Sequence, residues 1–155
     1  MNIQELRELD PKIITIGSHP GIIQAILDYD FLIGHTTPSI AGIVANGRKF
    51  ERFFFGRREI LIPVYPTLKL VSKETKEKIN MLLNVSSGRR VMISTIEAID
   101  YFPNLKIGTI FAEGVPEKHA IDLFEYIKDK DITFVGPASV GIVIPKSFKL
   151  GAIGG

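Results

Sequence analysis

Short, wholly apolar runs alternate with amphipathic stretches of helical length along most of this chain. Such apolar runs predict buried strands, and stretches with apolar residues three or four positions apart predict helices. The predicted strands cover residues 12–16, 31–33, 60–65, 81–85, 105–112 and 132–135, and the predicted helices cover residues 22–29, 68–78, 89–102 and 116–128. This alternation indicates an α/β fold with a doubly wound, mainly parallel sheet covered on both faces.

Residues 39–59 depart from this regularity, and there we expect a small hairpin insertion around residues 48–58. Pro63 cannot donate a ladder hydrogen bond, so it indicates an edge position or an early end for the strand at residues 60–65. In the two later helices, the spacing of apolar residues places Ile93 and Phe124 on the inward faces.

The composition predicts one globular domain over residues 1–155, because 45% of the residues are apolar and 23% are charged. The chain has no cysteine, which excludes a disulfide framework and a thiolate metal site. The first residues lack the basic start and apolar stretch of a signal peptide, and no apolar run is long enough for a membrane span. We therefore expect a cytoplasmic protein with no membrane contact.

The net charge of +2 is too small to predict nucleic acid as a partner. Basic residues are nevertheless concentrated in one short stretch that contains only two glutamates. These basic residues are Arg48, Lys49, Arg52, Arg57 and Arg58. A local cationic patch on a nearly neutral protein suits a small polyanion, and a solvated basic loop is the alternative.

In a doubly wound sheet, ligands bind beyond the carboxyl ends of the strands. The segments predicted to lie there are residues 17–21, 34–38, 86–90, 112–116 and 136–141. The first of them is not G-x-G-x-x-G, and residues 34–37 offer no acidic residue for a ribose, so the pattern weighs against a nicotinamide cofactor. A P-loop is excluded because no G-x-x-x-x-G-K-[ST] is present.

The loop at residues 86–90, S-S-G-R-R, combines hydroxyls, a flexible glycine, two guanidinium groups and a predicted helix start. Such a combination can hold phosphate through backbone amides, the helix dipole and bidentate arginine contacts. The alternative is a serine N-cap followed by solvated arginines.

Catalytic and metal-binding patterns are absent from the sequence. His19, His35 and His119 do not have metal-ligand spacing, and no G-x-S-x-G accompanies the serines. Glu113 follows a predicted strand, where it is either a binding residue or part of a helix cap. We therefore predict neither catalytic residues nor metal ligands.

Several loops resemble those of a known family when taken together. Residues 34–38 (G-H-T-T-P) look like a G-G-T-T-P loop, residues 112–116 (A-E-G-V-P) look like T/A-E-G-I-P, and residues 136–151 resemble a G-P-x-x-x-G…P…K-I-G run. The family patterns come from the Rossmann-like coenzyme A-binding domain shared by the succinyl-CoA synthetase α-subunit, the citryl-CoA synthetase small subunit and ATP-citrate lyase, which this chain resembles. They recur in family order over nearly the whole chain.

The ATP-citrate lyase branch is the most similar. Residues 27–30 resemble its L-D-F-D, residues 52–64 its K-F-Y-W-G-x-x-E-I-L-I-P-V, and residues 84–94 its N-F-A-S-L-R-S-x-x-x-S. The resemblance implies that Ser86, Ser87 and Arg89 contact coenzyme A, and that the ring of Phe53 lies against it.

The complete set of cofactor-binding residues that the loops and the resemblance together predict is Gly17, Ser18, His19, Thr37, Pro38, Arg52, Phe53, Ser86, Ser87, Arg89, Ala112 and Glu113. Two features depart from the succinate enzymes. The loop at residues 17–21 is shorter than their T-G-S-Q-G, and Ile40 stands where they have a lysine. We expect Arg52 or Arg89 to supply the missing phosphate contact.

The resemblance also implies partners outside this chain. In the family, a phosphohistidine in a G-H-A-G-A motif and an ATP-grasp unit act with this domain, and none of the three histidines here has that context. We expect the chain to be a fragment of a longer enzyme that is not catalytic by itself. A succinyl-CoA synthetase-like domain, or a stand-alone regulatory module that binds coenzyme A or NAD, remains the alternative.

Overall fold

The computed structural model describes residues 1–154. Its strands are β1 (Ile13–Ile16), β2 (Ile40–Val44), β3 (Phe50–Phe55), β4 (Arg58–Tyr65), β5 (Met81–Asn84), β6 (Ile107–Ile110), β7 (Thr133–Val135), β8 (Gly141–Ile144) and β9 (Phe148–Gly151). Its helices are α1 (Ile3–Glu8), α2 (Pro20–Leu32), α3 (Lys73–Lys78), α4 (Val91–Tyr101) and α5 (Glu117–Ile127), with a 3₁₀ turn at Leu68–Leu70. No helix in this described part of the chain is both long and apolar enough to span a membrane.

Seven strands form the central sheet in the order β3-β4-β2-β1-β5-β6-β7. All neighbouring pairs are parallel except β3 and β4, which form an antiparallel hairpin at one edge. The strand order reverses between β1 and β5, where the chain begins to fill the other half of the sheet. The predicted α/β class and doubly wound, mainly parallel sheet are therefore confirmed. The predicted hairpin is also present, with β4 as its second strand.

Each face of the sheet is covered by a separate apolar cluster. On one face, α2 and the β8–β9 hairpin pack on β1, β2 and β5 through residues such as Ile23, Leu27 and Phe148. On the other face, α4 and α5 pack on β1, β5 and β6 through residues such as Ala98 and Leu123. Wholly apolar strands are explained by this arrangement, because both sides of each central strand are buried.

The second strand was predicted in the wrong place. Residues 31 and 32 continue α2, and the strand β2 begins at Ile40. Phe31 packs edge-on against Phe55 of the hairpin, so an apolar run that resembles a strand serves instead as a helix end packed on a distant segment. Gly34, with φ of +89°, terminates the helix in a conformation that glycine favours.

Three smaller predictions were also wrong. Pro63 lies in β4, which is not an edge strand, because β3 and β2 flank it. The missing N–H of Pro63 is tolerated because the neighbouring amide of Val64 donates to Lys49 on the β3 side and pairing with β2 begins only at Val64. Ile93 and Phe124 are exposed, since α4 and α5 turn neighbouring positions towards the sheet. The predicted helix at residues 68–78 divides into the 3₁₀ turn and α3.

Candidate functional site

The loop after β1 touches the loop after β5 where the strand order reverses. The amide of Gly17 donates to the carbonyl of Val44 at 2.9 Å, and Gly17 has φ of +86°. A Cβ at this position would lie 3.1 Å from Cγ2 of Val85 and 3.4 Å from the amide nitrogen of Ser86. Glycine thus allows the two loops to approach closely at the position where doubly wound folds bind ligands.

Ser18 and His19 connect this loop to other elements. The Ser18 hydroxyl donates to Oε2 of Glu51 on β3 at 3.0 Å. Nδ1 of His19 accepts from the amide of Ile22 at 3.2 Å and so caps α2, which leaves Nε2 to carry the proton of the neutral ring. The His19 ring also lies edge-on to Phe111, just beyond β6, with 5.8 Å between ring centroids.

A buried asparagine organises the loop after β5. Nδ2 of Asn84 donates to the hydroxyls of Ser94 and Thr95 on α4, both at 2.9 Å. Oδ1 of Asn84 accepts from the amide and the hydroxyl of Ser86 at 3.0 and 2.6 Å. Asn84 and Ser94 were not predicted as site residues. The signal present in the sequence was a polar residue at the end of an apolar strand, shortly before a serine pair.

The start of α4 presents donors and positive charge. The carbonyl of Ser87 accepts from the amides of Arg90 and Val91, whereas the amides of Met92 and Ile93 have no backbone acceptor within residues 1–154. Arg89 and Arg90 are exposed, and no carboxylate among residues 1–154 lies within 4.0 Å of either guanidinium group. Unpaired amides and guanidinium groups at a helix start favour an anion.

The loop after β6 closes against the loop after β5. A Cβ at Gly88 would lie 2.7 Å from the carbonyl oxygen of Glu113 and 2.9 Å from that of Gly114. Ala112 is buried, and its carbonyl accepts from the amide of Ala138 at 2.9 Å. The Glu113 side chain is exposed at this edge. Three of the predicted loops therefore form one continuous surface.

A cavity of about 640 Å³ adjoins the carboxyl ends of β1 and β2. It lies between the 3₁₀ turn and α4, and its walls include Ile16, Val44, Thr67, Ser94 and Glu97. The cavity is large enough for part of an elongated organic ligand. None of these residues was predicted to belong to a site, because they come from segments that only the tertiary structure brings together.

Four predicted site residues do not join this surface. Thr37 and Pro38 precede β2 and so lie at the amino edge of the sheet, contrary to the expectation that residues 34–38 lie at the carboxyl ends. Phe53 is only 4% exposed and packs in the core with α2, so its ring is not available as an open surface for coenzyme A. Arg52 is exposed on the other side of β3, where its Nε lies 3.8 Å from Oε1 of Glu59.

Comparison with known proteins gives a consistent result. No protein-family model matches the chain. A probable ATP-citrate synthase subunit 1 of Schizosaccharomyces pombe is 34% identical over 153 residues, which are 97% of this chain and 25% of that protein. The corresponding Neurospora crassa protein is 39% identical over 147 residues, 93% of this chain and 22% of its own length. The chain is homologous to one segment of the ATP-citrate synthase family.

Solved structures agree with this ATP-citrate synthase homology. ATP citrate lyase from Methanothrix soehngenii, determined in complex with citrate and coenzyme A, superposes with a TM-score of 0.88 at 28% sequence identity. The match covers 97% of this chain and 24% of that one. The resemblance to the ATP-citrate lyase branch is therefore confirmed, while the chain spans a quarter or less of these ATP-citrate synthase relatives. The individual ligand contacts remain predictions.

Proposed function

We propose that this chain binds coenzyme A at the carboxyl edge of its sheet, as the coenzyme A-binding segment of an ATP-citrate lyase-type enzyme. The observation that carries the proposal is the convergence of the loops after β1, β5 and β6 at the strand-order reversal. Support comes from the homologous lyase determined with coenzyme A.

The ligand contacts follow from the chemistry of this surface. Arg89, the hydroxyl of Ser87 and the unpaired amides of α4 hold phosphate groups, whereas the hydroxyl of Ser86 donates to Asn84 and holds the loop in place. Gly17 lets the loop after β1 lie against the loop after β5, which brings both loops to one surface. The pantetheine arm extends along the edge towards Glu113. Phe53 is buried, Thr37 and Pro38 lie at the other edge, and Arg52 lies on the outer side of β3, so we leave these four out of the proposed site.

In the complete enzyme, the role of the chain is to position the thiol. Citrate is phosphorylated with ATP through a phosphohistidine outside this chain, and an ATP-grasp unit supplies the phosphoryl group. The coenzyme A sulfur then attacks the acyl phosphate carbonyl, forming citryl-CoA and releasing phosphate. We propose that Glu113, which is exposed at this edge, contacts the segment that carries the phosphohistidine.

The observed position of the second strand, β2, also weighs against a nicotinamide-binding module. The residues that follow β2 are Ala45, Asn46, Gly47 and Arg48, none of which is acidic. A ribose hydroxyl therefore lacks the carboxylate that usually binds it in NAD-dependent folds. A succinyl-CoA synthetase-like activity is disfavoured because the similar proteins described above are ATP-citrate synthases and lyases.

The test is calorimetric titration of the 155-residue chain with coenzyme A, NAD and ATP in parallel. We expect saturable binding of coenzyme A only, weakened about tenfold in Arg89→Ala through loss of one charge-assisted contact. Arg7→Ala, on α1 beside the amino end of β1, removes the same charge away from the site and is the control. Binding of NAD without coenzyme A would overturn the proposal.

The acid substrate is tested separately in the complete enzyme. Formation of the CoA thioester is measured with citrate and with succinate, in the presence of ATP. Citrate dependence is the expected result, and activity with succinate alone would assign the chain to the other branch.

A further inference from the structure

Two adjoining cavities lie at the amino edge of the sheet, opposite the proposed coenzyme A surface. The smaller, about 260 Å³, lies between the Asp10–Lys12 segment and the loop at residues 34–37. The larger, about 670 Å³, lies between the end of α2 and the turn of the β3–β4 hairpin. His35 and Thr36 line both cavities, so the two form one groove.

The larger cavity has an excess of positive charge. Arg57 and Arg58 line it, both are exposed, and neither has a carboxylate within 4.0 Å among the 154 described residues. Nδ1 of His35 lies 3.4 Å from Oδ1 of Asp30, whose side chain is completely buried and so cannot contact a ligand in the groove. Lys12, in the smaller cavity, is paired with Asp10 at 3.1 Å.

An aromatic ring forms the apolar wall of the same cavity. Phe31 is 51% exposed, yet its ring is fixed edge-on against Phe55 with 5.6 Å between ring centroids. The ring lies directly over Gly56, where an added Cβ would come within 3.0 Å of it. A half-exposed ring held from two sides is a preformed surface for a second aromatic or apolar group.

We propose that this groove is a binding site for a small aromatic phosphate ester, separate from the coenzyme A surface. The phosphate lies between Arg57 and Arg58, which offer forked donors to a dianion, with His35 and the Thr36 hydroxyl beside it. The aromatic group lies on Phe31. The Thr36 hydroxyl makes no hydrogen bond within the described residues, so it is available to the ligand.

The experiment is titration of the ¹⁵N-labelled chain with phenyl phosphate and with inorganic phosphate, followed by NMR. Saturable shifts are expected at the amides of residues 35–36 and 56–58. The double variant Arg57→Ala/Arg58→Ala should weaken phenyl phosphate binding about tenfold or more. Arg48→Ala/Lys49→Ala removes the same charge from the other end of the hairpin and should change the affinity by less than about twofold.

A third variant tests the aromatic part of the ligand. Phe31→Leu should weaken phenyl phosphate about threefold or more and leave inorganic phosphate unchanged. Circular dichroism establishes that each variant is folded. The proposal is overturned if shifts are confined to residues 86–90, if they do not saturate, or if the two double variants behave alike. Because coenzyme A is not used, the result does not depend on the proposed function.

Discussion

Oδ1 of the buried Asn84 side chain accepts hydrogen bonds from both the amide and the hydroxyl of Ser86. The same side chain donates to Ser94 and Thr95, so one residue ties the end of β5, the following loop and α4 together. The proposed phosphate-binding loop is therefore held by a polar network in which the buried side chain of Asn84 has its hydrogen bonds satisfied.

Asn84→Ala should lower the free energy of unfolding by about 2–4 kcal/mol, because it leaves several buried polar groups without partners. Urea denaturation measures this effect. Asn46→Ala, at an exposed position in a turn, is the matched control and should change stability by less than about 0.5 kcal/mol. Equal effects of the two substitutions would show that the network does not stabilise the loop.

Gly88→Ala should disturb the contact between the loops after β5 and β6. The added methyl group would meet the carbonyl oxygens of Glu113 and Gly114, and overpacking of this kind costs about 1–3 kcal/mol. Coenzyme A affinity should fall with the stability, as measured by calorimetry and urea denaturation. Gly21→Ala, whose Cβ would come no closer than 3.7 Å to its neighbours, should leave stability unchanged or raised.

Phe53 and Phe54 should differ sharply in their effect on stability. Phe53→Ala removes a ring from the core and should lower the free energy of unfolding by about 3–5 kcal/mol. Phe54 is 51% exposed, so Phe54→Ala should cost less than about 1 kcal/mol. The milder Phe53→Leu should remain folded and keep its coenzyme A affinity; loss of that affinity in a folded variant would return Phe53 to the site.

Burial raises the pKa of the Asp30 carboxyl above its ordinary value of 3.8, although Ser39 and His35 act against this. The folded state thus holds the Asp30 proton more tightly than the unfolded state does. Ionisation of Asp30 is therefore less favourable in the folded state. As a result, the free energy of unfolding decreases as the pH rises from 3.8 through the pKa of Asp30 in the folded protein.

Asp30→Asn removes this dependence. The free energy of unfolding of the variant minus that of the wild type should increase between about pH 4 and about pH 7. Urea denaturation at both pH values measures the difference, with the exposed Asp129→Asn as the control. A difference that stays constant, or that decreases with pH, would contradict the assigned direction.

The loops after β1, β5 and β6 could be predicted from sequence because their signals are local. An apolar run followed by a glycine or a serine pair and then a periodic stretch identifies a strand, a loop and a helix without reference to distant residues. Since parallel strands end at the same edge, these predicted loops had to meet. For this reason Gly17, Ser86 and Glu113 lie on one surface, as expected.

The strand β2 was missed for an equally physical reason. Its sequence, I-A-G-I-V, includes alanine and glycine, which are weak strand formers, whereas residues 31–33 are strongly apolar. Ring contacts with Phe55 and Gly56 decide the outcome, because they allow Phe31 to remain in α2. The likeness of residues 34–38 to a G-G-T-T-P loop supported the wrong prediction that they lie at the carboxyl edge of the sheet.

By itself, the sequence determined the class of fold, the relationship to the ATP-citrate synthases and the loops at the carboxyl edge, because apolar periodicity and short motifs are properties of neighbouring residues. Only the tertiary structure decided which apolar run forms the second strand, that Phe53 is buried, and that Thr37 lies opposite the proposed site. These outcomes depend on packing between segments distant along the chain, and the free energy of such contacts is not encoded in any one of those segments.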